Sequence, residues 1–299
     1  MIRLGIVDFD TSHVVEFTKR INHKNIDKDQ WVDGAEVVLG CVGESQLAPE
    51  RIAGYKKEME TLGVPLVDKP GDLIGKVDGV LVESLEGGAH LARAKPFLEA
   101  GLPCYVDKPF ACTADDARKM VELADKHKVP IFSSSSLRYA PELQAFLADD
   151  GHGKLLGAVA YGPSPLSEKE GLNPGMFHYG IHAVEILYTL MGPGCQRVTC
   201  THEKDVDVAT GQWSDGRVAT VRGIRSGKAD YGAVAFAEKG VYPLALATKY
   251  IYRELCKQIV DMFTSKKAPI DSAVTVEIVS FIEAAFRSAN NHGTGEKVG

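Results

Sequence analysis

The stretch Ile2-Arg3-Leu4-Gly5-Ile6-Val7-Asp8-Phe9-Asp10-Thr11-Ser12-His13, followed by Val14-Val15-Glu16-Phe17, decides how the first half of the chain is read. An apolar run of six residues, a polar segment and then an apolar pattern at helical spacing predict a strand, a tight turn and a helix. Four more strand-like runs follow at a regular pitch, Glu36 to Val42, Val77 to Val82, Leu102 to Val106 and Val129 to Phe132. Helical patterns separate them, among them Ala89 to Ala100 and Thr113 to His127, where Ala117, Met120, Val121 and Ala124 form one apolar stripe. Alternation of this kind predicts a doubly wound parallel sheet with helices on both faces and ligands at the carboxyl ends of its strands.

From about residue 150 the pattern changes. Gly153 to Gly162, Arg197 to Thr201, Val206 to Ser214, Arg217 to Arg225 and Asp230 to Glu238 read as successive strands, with the Asp215-Gly216 pair marking a hairpin. A helix is predicted at Phe177 to Met191, and two more near Tyr250 to Thr264 and Ser272 to Asn290. The fold class is therefore α/β: a Rossmann-type domain over residues 1–137, then an α+β domain over residues 138–299 with a mainly antiparallel open sheet. The closing helices are free to pack back on the first domain.

Composition narrows the partners. A chain of 299 residues with a formal charge of -6 gives no electrostatic footprint for nucleic acid or an anionic membrane, so a small molecule is the expected partner. No apolar run reaches the roughly 20 residues of a membrane span, and the chain opens on a strand rather than a signal peptide, which makes the expected location cytoplasmic. Cys41, Cys104, Cys112, Cys195, Cys200 and Cys256 lack paired Cys-x-x-Cys spacing and read as reduced thiols.

Two motifs carry chemistry. In Tyr105-Val106-Asp107-Lys108-Pro109-Phe110 a lysine directly follows a buried strand, where desolvation can tune it for proton transfer. Asp68-Lys69-Pro70 repeats the tripeptide in a Gly- and Pro-rich stretch and reads as a surface turn. In Gly175-Met176-Phe177-His178-Tyr179-Gly180-Ile181-His182, continuing to Glu185, residues His178, His182 and Glu185 share one face if all three are helical. That spacing is open to a metal, to a packed histidine pair or to proton transfer, and proton transfer without a metal is the expectation. The serine run Ser133 to Ser136 reads as a polar strand end.

Together these motifs, with Leu137-Arg138-Tyr139-Ala140-Pro141, resemble the Gfo/Idh/MocA family of oxidoreductases over nearly the whole chain. The resemblance implies an NAD(P)-dependent enzyme moving a hydride to or from the CH-OH group of a sugar, inositol or related polyol, and a homodimer or homotetramer. It implies Lys108 as the catalytic lysine, in Asp-Lys-Pro where the family has Glu-Lys-Pro, and His182 as proton donor or acceptor. His178 stands where the family often has an acid. Carried over as cofactor positions are Glu44 on the adenosine ribose, Ser84, Leu85 and His90 in the turn after the fourth strand, Asp107 and Lys108 after the fifth, and Arg138. An acid at Glu44 favours NAD, with NADP possible.

Against this stands the opening loop, where Asp8, Phe9, Asp10, Thr11, Ser12 and His13 replace a glycine-rich phosphate loop. Ionised Asp8 and Asp10 would repel a phosphate by a few kcal/mol at an effective dielectric of about 20. Thr11, Ser12 and the helix start can still hold an anion. Two other readings follow from the same letters. One is a binding or regulatory protein that kept the fold and lost the cofactor. The other rests on Asp-x-Asp-x-Thr, which resembles the first motif of haloacid dehalogenase-type phosphatases and would make Asp8 nucleophile and Asp10 general acid.

Overall fold

The structure is a computed structural model describing residues 1–299. It divides into two compact units, the first formed by Met1–Ala111, Asp115–Ser134 and Tyr252–Ser272, the second by Cys112–Ala114, Ser135–Ile251 and Ala273–Gly299.

The first unit runs β1 (Ile2–Val7), α1 (His13–Ile21), β2 (Ala35–Cys41), α2 (Ile52–Thr61), β3 (Leu66–Val67), β4 (Gly79–Val82), α3 (His90–Glu99), β5 (Cys104–Val106), α4 (Ala114–His127) and β6 (Ile131–Phe132). The strands pair parallel in the order β3-β2-β1-β4-β5-β6. Sequence order reverses between β1 and β4, so the crevice of this doubly wound sheet opens above the ends of those two strands. β4 and β5 are buried throughout, as a sheet covered on both faces requires.

The second unit contains α5 (Pro141–Ala148), β7 (Leu155–Pro163), α6 (Ile181–Met191), β8 (Cys195–Glu203), β9 (Val206–Trp213), β10 (Val218–Ile224), β11 (Gly232–Ala237) and β12 (Gly240–Ala245). After α7 (Ile251–Ser265), nearly all of which belongs to the first unit, it closes with α8 (Ser272–Asn290) and β13 (Glu296–Lys297). Its sheet has the order β12-β11-β7-β10-β9-β8-β13, antiparallel apart from the β7/β10 pair. α6 is buried at ten of its eleven positions, which explains why apolar residues occupy nearly all of its circumference apart from His182 and Glu185. No helix is long and apolar enough to cross a membrane.

Several expectations are corrected. β3, β12 and β13 were not read as strands. β3 and β13 have two residues each, too short for a period-2 signal, and β12 carries Pro243, which its position at the sheet edge tolerates. The helix expected from Phe177 starts only at Ile181, preceded by a 3-10 turn over Gly175–Phe177. Asn173 and Gly175 lie at φ 46° and 55° at the start of this segment, and His178 sits in the turn between the 3-10 segment and Ile181, outside the helix that carries His182 and Glu185.

Candidate functional site

In the first unit the residues of interest converge on the carboxyl ends of β1, β4 and β5. Asp8 directly follows β1 with φ 67°, the left-handed conformation for which a phosphate loop keeps a glycine. Its carboxylate turns beneath the loop after β2. There a Cβ on Gly43 would sit 1.9 Å from Asp8 Oδ1, so the glycine one strand over makes room for the acid. Ser84 Oγ donates to Asp8 Oδ2, and Arg93 Nε lies 3.3 Å from the same oxygen. Asp10 Oδ1 accepts from Leu85 N at 2.9 Å. The two aspartates thus tie the loop after β1 to the loop after β4, across the crevice between those strands. Burial pushes both carboxyls above the usual range, opposed at Asp8 by Ser84 and Arg93 and at Asp10 by Ser45 and the Leu85 N–H.

Phe9 faces the core with its ring against Gly40. His90 holds its loop in place, with Nε2 2.7 Å from Ser84 O and Nδ1 2.9 Å from Pro109 O. Beside the crevice a cleft of about 500 Å³ is lined by Cys41, Val42, Gly43, Glu44, Val67 and Arg93, among others. Arg93 closes one side of it by donating to Glu44 O at 2.9 Å.

Deeper at the strand ends lies a fully buried charge cluster. His13, at the first position of α1, places Nδ1 2.8 Å from Asp107 Oδ2 and 4.0 Å from Glu83 Oε2. Its ring stacks on Phe17 and meets the edge of Tyr252. The other Asp107 oxygen accepts the backbone N–H of Lys108 at 2.7 Å, so Asp107 joins the start of α1 to the residue that opens the lysine motif. Lys108 is 5% exposed. Burial works to raise Asp107, but the pairing with His13 and the charge of Lys108 outweigh it and hold the carboxyl below its ordinary value. Glu83 has the opposite fate. Neither of its oxygens has a hydrogen-bond partner, and burial together with the charge of Asp107 drives its pKa well up.

His13, Glu83 and Asp107 are close enough to share a metal ion. Charge balance favours a proton instead. With Glu83 carrying a proton, the ionised Asp107 and the charged Lys108 balance one another, whereas a dication in place of that proton leaves a surplus charge in a dry core. Below the raised pKa the folded state holds a proton on Glu83 that the unfolded chain has lost, so stability falls as pH rises above the ordinary glutamate range. Glu83→Gln is therefore expected to gain on the wild type by up to about 1.4 kcal/mol per pH unit across that window. Melting curves of both proteins from pH 5 to 9 check this, and parallel curves would count against it.

The second unit builds its own constellation around α6. His182 is 7% exposed, its Nδ1 lies 2.7 Å from Ser135 Oγ, and the edges of Tyr179 and Tyr231 flank its ring. One turn on, Glu185 is paired with Arg138 through Nε at 2.8 Å and a second nitrogen at 2.6 Å, and also accepts from Ser135 N at 3.4 Å. Arg138, expected at the cofactor, is committed to this buried ion pair within its own unit. His178 lies on the turn before α6.

Glu83, Arg93 and Ser135 were missed by the sequence reading. Glu83 had a usable signal, since an acid directly after the apolar run Gly79–Val82 stands at a strand mouth just as Lys108 does. Arg93 had none, because an arginine inside an amphipathic helix is ordinarily solvated.

Residues 34–135 match the model of the oxidoreductase family with an NAD-binding Rossmann fold. The rhizopine catabolism protein MocA of Rhizobium meliloti is 33% identical over 108 residues, covering 36% of this chain and 33% of that protein. The chain thus aligns with between about a quarter and a third of the length of the curated relatives it matches. Among solved structures, GenD2 from gentamicin A biosynthesis in complex with NAD superposes with a TM-score of 0.81 at 16% identity, covering 100% of this chain and 96% of that one. A myo-inositol dehydrogenase from Corynebacterium glutamicum superposes with a TM-score of 0.79 at 16% identity, covering 100% and 99%. The resemblance to the Gfo/Idh/MocA oxidoreductases, and the α/β fold expected from it, are borne out by these matches.

Proposed function

We propose that this chain is an NAD(P)-dependent oxidoreductase moving a hydride between a nicotinamide cofactor and the hydroxyl or keto carbon of a sugar, inositol or related polyol. The observation that carries this reading is Lys108, buried at the mouth of the parallel sheet immediately after β5, with Asp107 gripped on both oxygens to fix its backbone. The neighbours that superpose on the whole chain include one described with NAD and one described as an inositol dehydrogenase, which supports the same chemistry here.

The chain fits such a cofactor at three places: the crevice between β1 and β4, the start of α1, and the cleft bearing Glu44, whose acid suits ribose hydroxyls and favours NAD. The nicotinamide, when bound, supplies the hydride chemistry. The chain's part is for Lys108 to polarise the substrate oxygen and for His182 to give or take its proton. A homodimer or homotetramer is part of the proposal.

One observation favours a second reading, a cofactor-free binding protein: Asp8 and Asp10 already occupy Ser84 and the Leu85 N–H across the crevice. Titrating the protein with NADH and with NADPH, followed by nicotinamide fluorescence, separates the two. Saturable binding, tighter for NADH, is expected. No binding of either at millimolar concentration would leave the cofactor-free reading.

A further inference from the structure

His178 stands where the resemblance leads one to expect an acid, and the structure sets that residue before α6 rather than on it. A proton-exchanging imidazole needs a fixed partner on one nitrogen if the other is to face its substrate reproducibly, because a free ring turns about χ2 and interconverts tautomers. At Nδ1 of His182 that partner is a hydroxyl: Ser135 Oγ, 2.7 Å away and fully buried.

We infer that Ser135 is the positioning residue of His182, holding Nδ1 in its protonated form so that Nε2 is the nitrogen that gains and loses the proton. This rests on the reading of His182 as the proton-exchanging residue.

Three features support the inference. Ser135 is itself held at both ends, since its Oγ accepts the Leu137 N–H at 3.2 Å as the cap of the 3-10 turn Ser136–Tyr139 and its own N–H donates to Glu185. A hydroxyl oxygen has two lone pairs, so it can accept from Leu137 and from Nδ1–H together. The neighbouring charges Glu185 and Arg138 are paired with each other. Tyr179 and Tyr231 flank the ring. With Nδ1–H fixed on the serine, the two states of the ring differ by a proton on Nε2 alone. The proton taken from a substrate hydroxyl enters at Nε2, and the Nδ1 hydrogen bond is unchanged.

Long-range 15N–1H spectra of uniformly 15N-labelled protein test this without any turnover, His182 being identified by the signals lost in His182→Gln. In the neutral ring of the wild type, Nδ1 is expected at the protonated position and Nε2 at the unprotonated one. In Ser135→Ala the two are expected to move toward averaged values as the tautomers mix, and Ser135→Thr should restore them. If the alanine variant fails to fold, Ser135→Cys, with its weaker hydrogen-bonding thiol, should show the same mixing in part. A wild-type ring protonated on Nε2 instead, or shifts unchanged on removing the hydroxyl, would overturn the inference.

In steady-state assays with NAD and a polyol substrate, kcat of Ser135→Ala should fall by up to about 100-fold with a smaller change in KM, and threonine should rescue it. Absence of turnover by the wild type would defeat the functional reading, while the spectra would still decide the role of Ser135.

Discussion

Replacing Lys108 with Ala is expected to slow hydride transfer roughly 10²- to 10⁴-fold, the usual contribution of a well-placed proton-transfer or polarising group, while leaving the affinity for NADH nearly unchanged. The separation follows from where the residue sits. Its backbone is anchored by the Asp107 carboxylate, itself held by His13, and this anchor survives loss of the side chain. The side chain, by contrast, belongs to a residue only 5% exposed, and its charge acts on Asp107 and Glu83, a setting in which it is poorly screened and strongly felt by a nearby oxygen. Lys108→Arg should not restore the rate, because a guanidinium is larger and does not give up its proton. Lys108→Met, which keeps the volume, guards against misfolding as the cause of any loss. Single-turnover rates with saturating NAD and a polyol, alongside fluorescence titrations for affinity, make the measurement. An unchanged rate in both the alanine and methionine variants would remove Lys108 from the mechanism.

How far this site was legible in the sequence depended on whether a residue's role is local. The lysine after β5 could be found because a strand of apolar residues and the residue following it are adjacent in the chain. The parallel, doubly wound character of the sheet was legible for the same reason, through alternating periodicities. His13 was assigned to a phosphate loop, and nothing in its neighbourhood of the sequence joins it to Asp107, 94 residues away. Ser135 was read as a polar strand end because four serines in a row carry no periodic signal, and its pairing with His182 spans 47 residues. His178 was placed on a helix because that helix was expected to start at Phe177, whereas residues 178–180 form a turn and α6 begins at Ile181. The acidic loop was read correctly as a departure, yet the departure was taken for a bare loss. In the structure it is a substitution, since Asp8 keeps the left-handed backbone of a glycine and Gly43 supplies the space for its side chain.

That substitution leads to the second large effect, a dependence of cofactor affinity on pH. Asp8 faces Arg93 and His90 on α3, Asp10 in its own loop and Cys41 on β2, and Asp10 faces His90, Asp8 and Glu83. Both acids already hold their protons to higher pH than usual because they are buried. A pyrophosphate brought to the start of α1 would add negative charge beside them, and unit charges at a separation of roughly 5 Å repel by about 3 kcal/mol at an effective dielectric of 20. Binding therefore raises the two pKa values further, and protons are taken up as the cofactor binds. The sign is then fixed: affinity is greatest below the pKa values of the free protein and declines as pH rises between the free and bound values, by at most about tenfold per pH unit for each proton taken up. Asp8→Asn combined with Asp10→Asn keeps the shapes and most of the hydrogen bonds but removes the ionisation. The double variant should bind NADH more tightly than the wild type at pH 8 and show little slope from pH 5.5 to 8.5. Fluorescence titrations of both proteins across that range decide the matter. Equal affinities with no slope in either would mean that the bound phosphates do not meet the acidic loop, and would move the pyrophosphate away from the start of α1.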